Sequence, residues 1–195
     1  LHMHFEQRHT TVRAVNGVSF DLHRGEIVGL VGESGSGKSM TGYSLLGLIE
    51  PPGRIVAGSV ELGGEELVGL PQVELRRLRG RRLAMVFQDP MATLNPVLTI
   101  GRQLGLVMKA HDGSLGRKEL RRRAVELLEQ VAIPQADRRV DAYPHELSGG
   151  MRQRVMIAMA IANNPEVLIA DEPTTALDVT VQAQIMELLT ELRRE

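Results

Sequence analysis

The chain has 195 residues, 43% of them hydrophobic, and a formal charge of −1. That allows one large domain or two small ones with a real core, and gives no global electrostatic pull toward nucleic acid. The longest apolar runs are about five residues, against the ~20 needed to cross a bilayer, so any membrane association goes through a partner. The absence of cysteine excludes disulfides, thiolate metal sites and a cysteine nucleophile, and is compatible with the cytoplasm.

Leu1, Met3 and Phe5 alternate with His2, His4 and Glu6, the period of a half-buried strand, with Arg8-His9-Thr10-Thr11 as its turn. The histidines at 2, 4, 9, 23, 111 and 145 lack metal-ligand spacing, and the His2/His4 pair reads as a solvated strand face. Val12, Ala14, Val18, Phe20 and Leu22 continue a β pattern to a turn at Arg24-Gly25, a small antiparallel sheet leading into the core. Ile27-Val28-Gly29-Leu30-Val31 suits a strand buried on both faces of a parallel sheet. It runs into Gly32-Glu33-Ser34-Gly35-Ser36-Gly37-Lys38-Ser39, which fits G-x-x-x-x-G-K-[ST]. Tyr43, Leu45, Leu46 and Ile49 then supply the apolar side chains of a helix.

This stretch reads as a nucleotide site, and the chemistry accounts for each residue type. Glycines 32, 35 and 37 open backbone torsions closed to other residues, so successive N–H groups can form a nest for phosphate oxygens. The helix that follows adds its unpaired amides and positive dipole end. Lys38 would reach the β- and γ-phosphates and the Ser39 hydroxyl would bind Mg2+. Only three lysines accompany twenty arginines in the chain, which makes a chance Gly-Lys-Ser match rarer still.

Pro51-Pro52-Gly53 reads as the end of the first helix, Ile55 to Leu62 as a strand, Gly63-Gly64 as a turn, and Pro71 to Arg79 as a short helix opened by proline in its first turn. Arg76, Arg77, Arg79, Arg81 and Arg82 lack stacking aromatics and read as a solvated face. Leu83 to Phe87 is a second buried-strand run and delivers Gln88 to its C-terminal end, the edge where ligands sit in parallel α/β sheets; Gln88-Asp89-Pro90 alone is equally a plain turn. From Thr99 to Ala132 the pattern is helical, broken by a loop at His111 to Ser114. Leu120, Ala124, Leu127, Leu128 and Val131 form one apolar stripe opposite Arg121, Arg122, Arg123, Glu126 and Glu129. Leu98 to Pro144 is therefore a helical insertion. Ser148-Gly149-Gly150 opens a further helix to Asn163, either as a simple cap or as a second phosphate site. Val167 to Ala170 is a third buried run, ending in Asp171-Glu172-Pro173. Beside a phosphate loop, Asp171 would hold Mg2+ and Glu172 would polarise the attacking water. Val181, Ile185, Leu188, Leu189 and Leu192 mark a last amphipathic helix.

Taken together, GESGSGKS, Gln88 after a strand, LSGGM, LIADE and Ala176-Leu177-Asp178 resemble the nucleotide-binding domain of an ABC transporter over essentially the whole chain. The resemblance implies an α/β P-loop NTPase core with an N-terminal antiparallel β-subdomain and an inserted α-helical subdomain. Residues 1–97 would hold the β-subdomain and the first part of the core, 98–144 the helical subdomain, and 145–195 the signature helix and the second part of the core. It further implies two such domains sandwiching two ATP molecules head to tail, with Ser148, Gly149 and Gly150 serving the γ-phosphate held by the other subunit's Gly32 to Ser39 loop. Gln88 maps to the residue that senses Mg2+ and the attacking water, and Asp178 to a loop at the dimer contact. Phe5 is the candidate for stacking on adenine, with Val15 nearby.

Phe87-Gln88-Asp89-Pro90-Met91, Leu94-Asn95-Pro96 and Tyr143-Pro144-His145 before Met151 are similar to the dipeptide, oligopeptide and nickel importer ATPases. The implied protein is an importer's ATPase subunit, homo- or heterodimeric, peripheral on the cytoplasmic face of the inner membrane. Its partners would be permease subunits and, indirectly, a substrate-binding protein, with no nucleic acid. Two other readings compete: a soluble ABC ATPase acting on nucleic acid or ribosomes, and a regulatory module that binds ATP without hydrolysing it. The family's switch histidine lies on a strand beyond the last helix, so the sequence reads as a fragment, and its own hydrolysis is an open expectation.

Overall fold

The computed structural model describes residues 1–7, 10–175 and 177–192. Arg8 and His9 of the expected turn, Ala176 and Arg193 to Glu195 lie outside the described residues. The chain forms two compact units, Leu1–Arg79 and Gly80–Glu195.

In the first unit β1 (His2–Gln7), β2 (Thr10–Asn16) and β3 (Gly53–Ala57) form an antiparallel sheet in the order β2-β1-β3. Phe5 stands opposite Val12 on one side and Gly53 on the other. Thr10 and Thr11 belong to β2 rather than to a turn, because they complete its ladder with Gln7 and Glu6. The His2/His4 face is half-buried, not solvated. His2 Nδ1 is 3.3 Å from Asn16 Oδ1, and His4 Nε2 is buried without a hydrogen-bond partner among the described residues.

The expected buried strand at Ile27–Val31 is not formed. These residues have no ladder, and Val31 is 93% exposed. Phe20 and Leu22 are also exposed and outside any strand. An apolar run qualifies a segment for burial, but a strand exists only where a neighbour supplies its hydrogen bonds; no described strand does so here.

Helix α1 (Lys38–Leu45) ends well before Pro51, contrary to expectation. Gly47 turns the chain at φ +61°. Arg79 donates from Nε to the Leu46 carbonyl and from Nη2 to the Gly47 carbonyl, each at 2.7 Å, so a cation closes the negative end of the helix. Arg79 is therefore a structural cap and not part of a solvated face, and desolvation lowers its pKa. β4 (Glu61–Leu62) and β5 (Glu65–Glu66) form a hairpin around Gly63-Gly64; the strand expected from Ile55 to Leu62 is interrupted at Gly58, where φ is +97°. α2 (Gln72–Leu78) has Pro71 as its N-cap rather than inside its first turn.

The second unit is built on a parallel pair, β6 (Leu83–Val86) and β7 (Val167–Ala170), with Val86 opposite Ala170. All four β6 residues are buried, whereas β7 is only half-buried and Ala170 is exposed, so the third run is less enclosed than its composition implies. At the N-terminal end of the pair Arg82 Nε meets Glu166 Oε1 at 2.6 Å and holds that carboxyl below its usual range. Around the pair come α3 (Pro90–Thr93), α4 (Ile100–Lys109), α5 (Arg117–Gln130), α6 (Ala136–Arg139), α7 (Gly149–Ile161) and α8 (Val179–Leu192). Their core joins Ile100, Leu104, Leu128, Val155, Ile157 and Ile185, all fully buried. The α5 stripe behaves as its period predicts: Ala124, Leu128 and the following Val131 are buried, Leu120 and Leu127 pack partly, and Arg122 pairs with Glu119 on the exposed face.

Candidate functional site

The phosphate-type loop lies in the first unit. Gly37, the N-cap of α1, has φ +95°, and a Cβ there would strike the Ala14 carbonyl of β2, so only glycine fits. Having no side chain, it leaves the first-turn amides of α1 uncapped by its own residue. Ser36 N donates to the Glu33 carbonyl at 3.1 Å, closing the loop, and Thr41 binds the Gly37 carbonyl through both N and Oγ1 at 2.8 and 2.9 Å. The Lys38 ammonium folds back on the loop, donating to the Gly32 and Glu33 carbonyls at 2.8 and 2.9 Å. Lysine thus sits over the loop it would share with an anion, held by neutral acceptors that a phosphate outcompetes. Of the two residues singled out for adenine, Val15 is 2% exposed and serves the core of this unit; Phe5 is half-buried and its ring lies against Gly53.

The second unit assembles its own cluster at the C-terminal end of the parallel strands. Asp171 N extends the ladder by donating to the Val86 carbonyl at 3.0 Å, and this register brings side chains 84 positions apart together. Gln88 Nε2 donates to Glu172 Oε2 at 2.7 Å. Thr175 Oγ1 donates to the same oxygen at 3.0 Å. Glu172 and Gln88 are exposed, whereas Asp171 is buried. Gln88 thus lies in an exposed bend after β6 with its side chain turned to Glu172.

Ser148 caps α7, accepting from Met151 N at 3.3 Å. The neighbouring Gly150 is needed for packing as well: a Cβ there would lie 2.8 Å from Val181 Cγ1 of α8. Asp178 caps α8, accepting from Val181 N at 3.0 Å.

Two residues escaped the sequence reading. One is Thr175. The other is Gln103 on α4, which is 4% exposed and ties down the segment beyond Gln88: its Oε1 accepts from Asn95 N at 2.8 Å, and its Nε2 donates to the Asn95 and Leu98 carbonyls at 3.0 Å each. A polar residue on an apolar helix face was the only signal for it. Gln103→Leu keeps the volume and removes three hydrogen bonds to backbone groups, of which the Asn95 carbonyl keeps a second donor in Leu98 N at 3.3 Å. The expected cost is about 1–3 kcal/mol, measured as a lowered denaturant midpoint with an unchanged slope.

The sequence profile described as ABC transporter matches residues 15–175. The chain belongs to the ABC transporter family. Among the relatives of this ABC family chain, a putative peptide import ATP-binding protein of Brucella abortus (strain 2308) is 60% identical over 184 residues, 94% of this chain and 55% of the relative. The dipeptide transport ATP-binding protein DppD of Escherichia coli (strain K12) is 54% identical over 196 residues, 100% of this chain and 59% of its own. The oligopeptide transport ATP-binding protein OppD of Salmonella typhimurium is 54% identical over 184 residues, 94% of this chain and 54% of its own. The chain thus spans somewhat over half the length of these curated relatives.

A solved ATP-binding cassette, MJ0796, reported as a dimer in a post-hydrolysis state with ADP and Pi, superposes with a TM-score of 0.85 at 33% identity, covering 98% of this chain and 80% of that one. The fold of this family member is that of an ABC cassette, an α/β P-loop ATPase fold with an antiparallel β-subdomain and added helices.

Proposed function

We propose that this chain is the ATP-binding portion of the ATPase subunit of an ABC importer, the whole protein hydrolysing ATP to drive di- or oligopeptides through a membrane permease. The observation that carries this is the Gln88–Glu172 contact at the C-terminal end of a parallel strand pair. It pairs a carboxylate with an amide at the strand end where ligands sit in parallel α/β sheets, in a chain that also carries a phosphate-loop sequence, and both features support the reading. Gly32 to Ser39 bind the phosphates, with Lys38 on the β- and γ-oxygens, and Phe5 offers a half-buried ring to the base. The names of the relatives favour peptide over nickel as cargo.

Mg2+ would be held by the Ser39 hydroxyl, the Asp171 carboxylate and the Gln88 amide oxygen, whose chemistry is that of the hard oxygen ligands this cation takes in small number beside nucleotide oxygens. Bound there, it would neutralise phosphate charge. The protein's own groups do the rest: Lys38 orients the phosphate, and Glu172 accepts a hydrogen bond from the attacking water and polarises it.

Two copies, or this chain and a paralogue, would pair head to tail, each offering Ser148, Gly149 and Gly150 to the other's nucleotide and Asp178 to the contact. Residues 98–144 and the segment after Gln88 would face the permease at the cytoplasmic side of the inner membrane. No described helix is long and apolar enough to cross a membrane.

The test compares residues 1–195 with a chain extended through the family's following strands, measuring ATP-dependent dimerisation and phosphate release. The expected result is ATP binding by both and turnover by the extended chain. Failure of both to bind ATP would overturn the reading.

A further inference from the structure

The peptide from Glu172 to Thr175 closes a tight turn: Thr175 N donates to the Glu172 carbonyl at 3.1 Å, with Pro173 in the second position, which its fixed φ suits. Glu172 itself sits at φ +45°, a left-handed conformation that a residue with a Cβ adopts only when its surroundings enforce it. The turn brings the Thr175 hydroxyl to Glu172 Oε2 at 3.0 Å, on the same oxygen that Gln88 Nε2 approaches at 2.7 Å.

The two donors differ in kind. Gln88 reaches across from beyond another strand on a long, exposed side chain, so movement of its segment carries that donor away. Thr175 lies within the same turn as Glu172, is stiff at χ1, and travels with it.

We propose that Thr175 is a positioning residue for Glu172, fixing the carboxylate so that its aim survives when Gln88 changes partners. The proposal rests on the ATPase reading above. Effective general-base catalysis needs the base within hydrogen-bond reach of the water, and a glutamate anchored at one oxygen presents the other without searching its rotamers.

The experiment uses the full-length protein and steady-state phosphate release, with wild type, Thr175→Val, Thr175→Ser, Glu172→Gln and the Glu172→Gln/Thr175→Val double variant. Valine keeps the shape and removes the hydroxyl. The expected result for Thr175→Val is a kcat lowered roughly 10- to 100-fold, with KM for ATP, nucleotide affinity and thermal midpoint unchanged. Thr175→Ser should restore turnover. In the Glu172→Gln background the valine substitution should add no further loss, since a residue acting only through Glu172 has nothing left to position.

A Thr175→Val kcat within about twofold of wild type, where Glu172→Gln is slow, would overturn the positioning role and leave the ATPase reading standing; twofold is the scale of effects with no such role. A serine variant as slow as valine, or an additive double variant, would overturn it too. Normal turnover by Glu172→Gln would take Glu172 out of the catalytic role and the proposal with it, while the ATPase reading stands; no turnover by wild type would remove that reading as well.

Discussion

Replacing Lys38 with alanine in the full-length protein is expected to abolish measurable ATP binding at concentrations that saturate the wild type. The Lys38 ammonium already lies on the loop, 2.8 and 2.9 Å from the Gly32 and Glu33 carbonyls, so it needs little rearrangement to meet an incoming phosphate. A charge-assisted hydrogen bond contributes about 1.5–3 kcal/mol, and Lys38 would make two such contacts, on β- and γ-oxygens. Losing both lowers affinity on the order of a hundredfold or more. Calorimetric or fluorescent-nucleotide titration reads this directly. Arginine is not a conservative rescue, because its planar fork does not replace a point charge at the base of a tight loop. Unchanged affinity in Lys38→Ala would sink the phosphate-loop assignment.

Glu172→Gln is expected to separate binding from turnover. The substitution keeps the side chain's shape, and the new amide oxygen can still accept from Gln88 Nε2 and Thr175 Oγ1, the two donors now at 2.7 and 3.0 Å. What disappears is the negative charge and the capacity to take up a proton. General-base catalysis contributes roughly 10²- to 10⁴-fold, so phosphate release should fall by that order while ATP affinity holds. With hydrolysis blocked, the nucleotide-bound pair should accumulate and appear as an ATP-dependent dimer in size-exclusion chromatography. Wild-type turnover with no such dimer would take Glu172 out of the catalytic role.

The contrast between the Gly32 to Ser39 loop and the cluster after the parallel strands shows what local order can carry. The loop from Gly32 to Ser39 was legible because its requirements are met by consecutive residues: glycine at φ +80° and +95° at positions 35 and 37, a lysine, a hydroxyl, and a helix beginning at Lys38. Helix α5 was legible for a similar reason, since a 3.6-residue period writes its buried stripe into the order of residues. Strands β6 and β7 were legible as apolar runs.

Other features depended on partners that no local pattern names. The end of α1 depends on Arg79, 33 positions beyond the Leu46 carbonyl that it binds, and so the nearer prolines misled. The apolar run at Ile27–Val31 has the composition of a strand and no ladder. Gln103 looked like an ordinary helix residue until the Asn95–Leu98 loop folded over it. By itself the sequence determined the torsions, donors and charges that each short motif carries, because these depend on neighbours along the chain. The parallel register of β6 and β7, the meeting of Gln88 and Glu172 across 84 positions and the capture of the same carboxylate by Thr175 were decided only in the tertiary structure. Strand pairing joins residues remote in sequence, and a strand's own periodicity says which face is buried but not which strand lies beside it.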